Sequence, residues 1–289
     1  MRLLPPLLAA AVGATAIAGA LMLRPDSAPA TPTPTPFASP TDDGISVVFA
    51  EEFHGDELDR ETWHTCFWWA PTTCTIETQG GLGLYTADNV SVADGVLTLR
   101  ARREQAVGWN GKTYDYTSGA VSTGGSDYSS PRKKPGFTFR YGYVEARVKV
   151  PAGQGLVPAF WLPMADHEWP PEIDIMEILG SEPTRTTMHY HYRRPNGTHA
   201  NVGDGWRGPD FSADWHTYAV DWQPGSLVWY VDGVERARFT DPAVTDKQAY
   251  LVLNLAVGGT WSGSPDATTP FPADLLVDWV RVYQRPPAR

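Results

Sequence analysis

Between Tyr141 and Val150 the chain alternates with a period of two. Val144, Ala146, Val148 and Val150 are apolar, while Tyr143, Glu145, Arg147 and Lys149 between them carry polar groups. Successive side chains of a strand point to opposite faces, so this segment is a strand with one face buried and the other wet. Gly95 to Ala101 repeats the pattern, with Leu97 and Leu99 on one face and Thr98 and Arg100 on the other. His216 to Trp222 and Leu227 to Val231 flank the turn pair Pro224-Gly225, and Asp232-Gly233 is a two-residue hairpin signal leading into Val234 to Phe239. Tyr250 to Val257 is apolar except at Asn254, which fits a central strand covered on both faces or lining a groove. Val277 to Tyr283 supplies a last strand. From Gly44 onward no amphipathic helix of convincing length intervenes, and no repeat of about 20–50 residues marks a solenoid or propeller. Many short strands in one unit predict an all-β sandwich or barrel, and a β-jelly roll is favoured because a curved sheet provides a groove.

Within that pattern, Glu172-Ile173-Asp174-Ile175-Met176-Glu177 gathers three acids on one predicted strand. Glu172 and Asp174 share a face, and Ile173 and Ile175 point into the core. Glu177 has the opposite parity, which a single β-bulge between Asp174 and Glu177 restores. Glu172 and Glu177 then lie roughly 13 Å apart at Cα, at about 3.3 Å per residue. Their side chains can lean to the carboxyl separation of about 5–5.5 Å that retaining glycoside hydrolysis uses. Like charges on one strand face repel, a cost that a catalytic site turns into separated pKa values. A solvent-facing polar strand and a carboxylate calcium site are the competing readings.

Composition narrows the partner. A formal charge of -10 excludes the basic surface that nucleic acid or an anionic membrane selects, and a neutral polymer fits better. Twelve Trp and twelve Tyr supply flat rings for the apolar faces of sugars, although most of them belong in the core. Arg2 and the apolar run Leu3 to Leu23 make residues 1–30 a signal peptide or an uncleaved N-terminal membrane anchor, with cleavage favoured near Ser27-Ala28-Pro29-Ala30. A secreted protein is expected, retained at the membrane only if that segment stays. Residues 31–43, with Thr31-Pro32-Thr33-Pro34-Thr35-Pro36, form an extended linker, and 44–289 the folded domain. In an exported chain the two cysteines, Cys66 and Cys74, suggest a loop-closing disulfide, with two buried thiols as the alternative. Asn89-Val90-Ser91 and Asn196-Gly197-Thr198 match glycosylation acceptors, and Asn196-Gly197 also reads as a hairpin turn.

The acidic segment resembles the bulged active-site strand of glycoside hydrolase family 16. The resemblance extends in order through Tyr141 to Pro151, Pro158-Ala159-Phe160-Trp161, Asn254 to Gly259 and Val277 to Tyr283, covering about Val47 to Gln284. It implies a jelly roll of two curved antiparallel sheets whose concave face holds a polysaccharide. A monomer is expected. By matching position, Glu172 would be the nucleophile, Glu177 the general acid/base and Asp174 the residue that tunes their protonation. Trp161 would stack on a sugar beside the cleaved bond, and His189 would contact substrate or the acids. Trp169 and Trp261 are further candidate platforms. Asp278 matches a structural calcium ligand of many members, while catalysis needs no cofactor. One departure is Val157, where the family commonly has Trp. The spacing of the glutamates resembles laminarinases and galactan-cleaving branches. The implied reaction is endo-hydrolysis of β-1,3-glucan, with mixed-linkage glucan, bacterial exopolysaccharide, β-galactan, transglycosylation and a non-catalytic sugar-binding jelly roll as alternatives.

Overall fold

In the computed structural model, residues 44–67, 70, 74–125 and 135–285 are described; the expected leader or anchor (1–30) and the linker (31–43) lie outside them. Numbered along the chain, one sheet contains β1 (Ser46–Glu51), β3 (Val90–Ala93), β4 (Val96–Ala101), β9 (Gly142–Lys149), β14 (His216–Gln223), β15 (Ser226–Val231), β16 (Val234–Thr240) and β18 (Ala273–Gln284). Its order is β16-β15-β14-β9-β18-β4-β3, and β1 also pairs with β18. The other sheet contains β8 (Ala120–Ser122), β10 (Leu156–Pro163), β11 (Glu172–Ile178), β12 (Arg185–Arg193), β13 (His199–Arg207) and β17 (Val252–Val257), in the order β13-β12-β11-β10-β17-β8. Two short pairs, β2 (Gly83–Tyr85) with β7 (Tyr116–Ser118) and β5 (Ala106–Val107) with β6 (Thr113–Tyr114), sit outside the large sheets. The fold is an all-β jelly roll of two antiparallel sheets. Among the described residues no helix is long and apolar enough to cross a membrane.

The alternation read from the sequence sets the sandwich. On β9, Val144, Ala146 and Val148 are fully buried and pack into one core with Leu97 and Leu99 of β4 and Ile173, Ile175 and Met176 of β11. Burying a large aliphatic side chain contributes about 1.5–3 kcal/mol, so these facing rows hold the sheets together. Trp222 and Trp229 belong to that core, as their strand positions predict. Asp232 and Gly233 both have positive φ, 53° and 71°, which a tight turn matching strand twist requires. Asn196-Gly197 forms the turn between β12 and β13, closed by the Arg194 N–H donating to the Thr198 carbonyl. Asn89 is buried and its amide donates to the Arg100 carbonyl and to Thr117 Oγ1, so the first acceptor match is packed inside the fold. Cys66 and Cys74 are joined in a disulfide with their Cα atoms 5.3 Å apart.

Candidate active site

β11 is bulged where parity demands it. Its pairing with β12 runs in register from Glu172 opposite His191 to Asp174 opposite His189, slips, and resumes with Glu177 opposite Thr187. Against β10 the same slip leaves Phe160 opposite Met176 and Trp161 opposite Asp174, so Ile175 is the extra residue. Ile175 and Met176 both enter the core, which turns Glu177 to the face of Glu172 and Asp174. A bulge disrupts the backbone ladder, and a buried carbonyl needs a donor. Here the Trp229 indole reaches across the core to the Asp174 carbonyl at 3.0 Å, and Thr187 Oγ1 donates to the Glu177 carbonyl at 3.2 Å.

The outward face of this sheet forms the floor of a groove of about 820 Å³. Glu172, Asp174 and Glu177 line it together with Trp161, Trp169, Trp261, His191 and Asn254. Trp169 and Trp261 are the open aromatics, 53% and 49% exposed. Trp161 is buried apart from one edge, and its indole N–H donates to Asn254 Oδ1 at 2.8 Å. Asn254, the polar break in an apolar strand, in turn donates to the Tyr85 hydroxyl at 3.1 Å. Phe67 and the Cys66–Cys74 disulfide belong to the same small cluster, so the disulfide loop backs the wall that holds Trp161. Val157 also lines the groove, leaving an aliphatic surface where an aromatic one is common in the family.

Two histidines of β12 address the acids diagonally. His189 Nδ1 lies 2.9 Å from Glu177 Oε2, and His191 Nε2 lies 3.4 Å from Asp174 Oδ2. Gly203 on β13 faces His189, and a Cβ there would come within 2.0 Å of the imidazole, so only glycine leaves the ring its place. Burial pushes the Glu172 carboxyl well above its ordinary value, reinforced by the Asp174 charge and opposed by His191 and by a hydrogen bond from Trp169. Burial likewise raises Asp174, with the Glu177 charge adding to it. The His189 imidazole is raised by its bond to Glu177, and burial lowers His191.

The donor atoms of Glu172, Asp174 and His191 lie within 4.8 Å of one another, as do those of Asp174, Glu177 and His189. These are the close acid and histidine groups among the described residues. Asp278 is elsewhere, at a register slip of β18, where Arg147 Nη1 meets its carboxylate at 2.5 Å. Calcium takes six to eight oxygens, and Asp278 stands apart from the close acid and histidine groups among the described residues. Sequence reasoning singled out His189 but missed His191 and His199; their shared parity with His189 across a hairpin was the available signal.

Residues 83–281 match Glycosyl hydrolases family 16. The chain is 34% identical over 253 residues to the endo-1,3-1,4-beta-glycanase EglC of Rhizobium meliloti, an alignment covering 83% of this chain and 52% of that protein. It therefore spans about half the length of that relative. The endo-beta-1,3-glucanase from Pyrococcus furiosus superposes with a TM-score of 0.69 at 36% identity, over 83% of this chain and 94% of that one. LamA from Zobellia galactanivorans, solved in complex with laminaritriose and laminaritetraose, superposes with a TM-score of 0.70 at 28% identity, over 83% and 99% of the two chains. With its acids in a row on a bulged strand at the floor of a groove, this chain belongs to glycosyl hydrolase family 16.

Proposed function

We propose that the protein is a retaining endo-β-glucanase that cleaves internal β-1,3 linkages of a laminarin-type glucan by double displacement. The observation that carries this reading is the bulge that brings Glu177 onto the face of Glu172 and Asp174 within an open, aromatic-flanked groove. Glu172 attacks the anomeric carbon while Glu177 protonates the departing oxygen, and Glu177 then takes a proton from the water that releases the glycosyl-enzyme. Asp174, the more enclosed acid, holds the shared proton. Burial still raises Glu172, but a neutral Asp174 no longer adds to it, and His191 and the Trp169 hydrogen bond favour the ionised nucleophile. Trp169 and Trp261, the exposed rings lining the groove, offer stacking surfaces. Neither a metal nor another cofactor enters any step.

A groove of about 820 Å³ lined by aromatic rings suits binding a stretch of polymer, and a polymer too large to enter a cell suits the exported form expected from Leu3 to Leu23. Mixed-linkage glucan is the second substrate reading, supported by the likeness to EglC and by the small Val157 on the groove wall. Digestion of laminarin, curdlan, mixed-linkage β-glucan and agarose, with oligosaccharide profiling, tests both readings. Internal fragments from laminarin support the first, and fragments from agarose alone would overturn it.

A further inference from the structure

A line of imidazoles leads away from the acid row. His191 Nε2 faces Asp174 Oδ2 at 3.4 Å, and on its other side His191 Nδ1 meets His199 Nε2 at 3.0 Å. His199, the first residue of β13, is exposed, and its ring lies 4.9 Å from that of Trp169 and nearly parallel to that of His191, 5.3 Å away. The chain thus joins an acid that is 5% exposed to a ring in solvent beside an aromatic rim. Contact between two imidazole nitrogens at this distance requires one to donate and the other to accept, so each ring's tautomer fixes the other's.

We propose that His199 and His191 are positioning residues that orient Asp174 and conduct its proton to and from solvent while substrate covers the groove. A proton taken up at Nδ1 of His199 displaces the one on its Nε2 to Nδ1 of His191. The proton on Nε2 of His191 then moves to Oδ2 of Asp174. One solvent proton has reached Asp174, both rings are again neutral, and both tautomers are reversed. Release runs the same steps backward. The inner contact, at 3.4 Å, is longer than an ordinary hydrogen bond, and the relay requires it to tighten when substrate binds.

The surroundings suit such a chain. His191 is faced by Glu172, Asp174 and Glu177 from β11, by His189 on its own strand and by His199 from β13. Burial, with His189, outweighs the acids and keeps His191 below its ordinary value. His199 is lowered by burial, then by His191, Arg193 and Arg194. Two neutral imidazoles are what a relay of this kind needs.

The inference rests on Asp174 belonging to the catalytic row, so wild-type hydrolysis of laminarin, curdlan and mixed-linkage β-glucan is measured first, and the cleaved glucan is the substrate thereafter; cleavage of none of them would refute that reading rather than the relay. Given activity, kcat and KM of His199→Ala and His199→Phe are compared across about pH 5–8, where imidazole titrates. Melting temperatures and added free imidazole complete the comparison. Both variants are expected to lose kcat by about tenfold, with KM changed less than about twofold, and imidazole should restore the alanine variant but not the phenylalanine one. Full kcat in His199→Phe, or no rescue of His199→Ala, would overturn the relay. If His199→Ala melts early, His199→Phe still decides, because it keeps a ring beside Trp169.

Discussion

Strands β11 and β18 both bulge beside an acid, and of the two only β11 lines the groove. In β18 the slip lies at Asp278, whose carboxylate is met by Arg147. In β11 the slip aligns Glu177 with Glu172 and Asp174, and the partners there are two histidines and an indole instead of a guanidinium. A permanent cation satisfies an acid and leaves it inert, whereas acids left to share protons with one another and with imidazole keep pKa values that chemistry can use. The bulge aims the side chain; its company decides what the side chain does.

The largest effect expected from this contrast is on Glu172. Glu172→Gln should cut reducing-end release from laminarin by about a thousandfold or more while leaving the melting temperature close to that of the wild type. A variant with substantial turnover would remove β11 from the chemistry. The support beneath the bulge comes next. Trp229→Phe strands the buried Asp174 carbonyl, at a cost of about 1–3 kcal/mol. Trp222 makes a comparable buried bond to the Thr245 carbonyl at 3.0 Å, away from the acids. Both variants should lose stability in denaturant titration, but only Trp229→Phe should also lose kcat.

A third acid in the larger sheet tests the burial argument without catalysis. Burial raises Glu145 to about 6, against a model-compound value of 4.5. Because the folded value lies above the unfolded one, its contribution is fully present below about pH 4.5 and is lost as pH rises through 6. Glu145→Gln should therefore flatten stability between those values, with a gain at neutral pH of at most about 2 kcal/mol. The smallest effect belongs to β18. Arg147 and Asp278 are 40% and 31% exposed in their side chains, so Arg147→Ala should cost about 1 kcal/mol or less. Asp278→Asn should shift the melting temperature equally with and without a chelator if the ion pair alone is lost; a shift abolished by the chelator would assign calcium to that position.

Much of this was legible because period-two patterns are local. The alternation of β9, the Asp232-Gly233 turn and the parity conflict between Asp174 and Glu177 needed no knowledge of the partner strands. The adjacent apolar pair Ile175-Met176 marks the bulge itself, since both enter the core. What stayed hidden depends on neighbours far along the chain. Asn254 looked like a blemish in an apolar strand until Trp161 and Tyr85 were seen on either side of it. β13 escaped because an edge strand with polar residues and two glycines has no burial pattern to display. His191 and His199 acquire meaning only when the hairpin stacks them. That Arg147, on a strand far away in the chain, meets the Asp278 carboxylate is likewise invisible along the sequence.

The most direct test of the whole account is the configuration of the sugar first released. Proton NMR during early hydrolysis of laminarin should show the β-anomer of the new reducing end appearing before mutarotation, as two displacements by Glu172 and then water require. Initial release of the α-anomer would mean a single displacement by water, and would contradict the assignment of Glu172 as the attacking group.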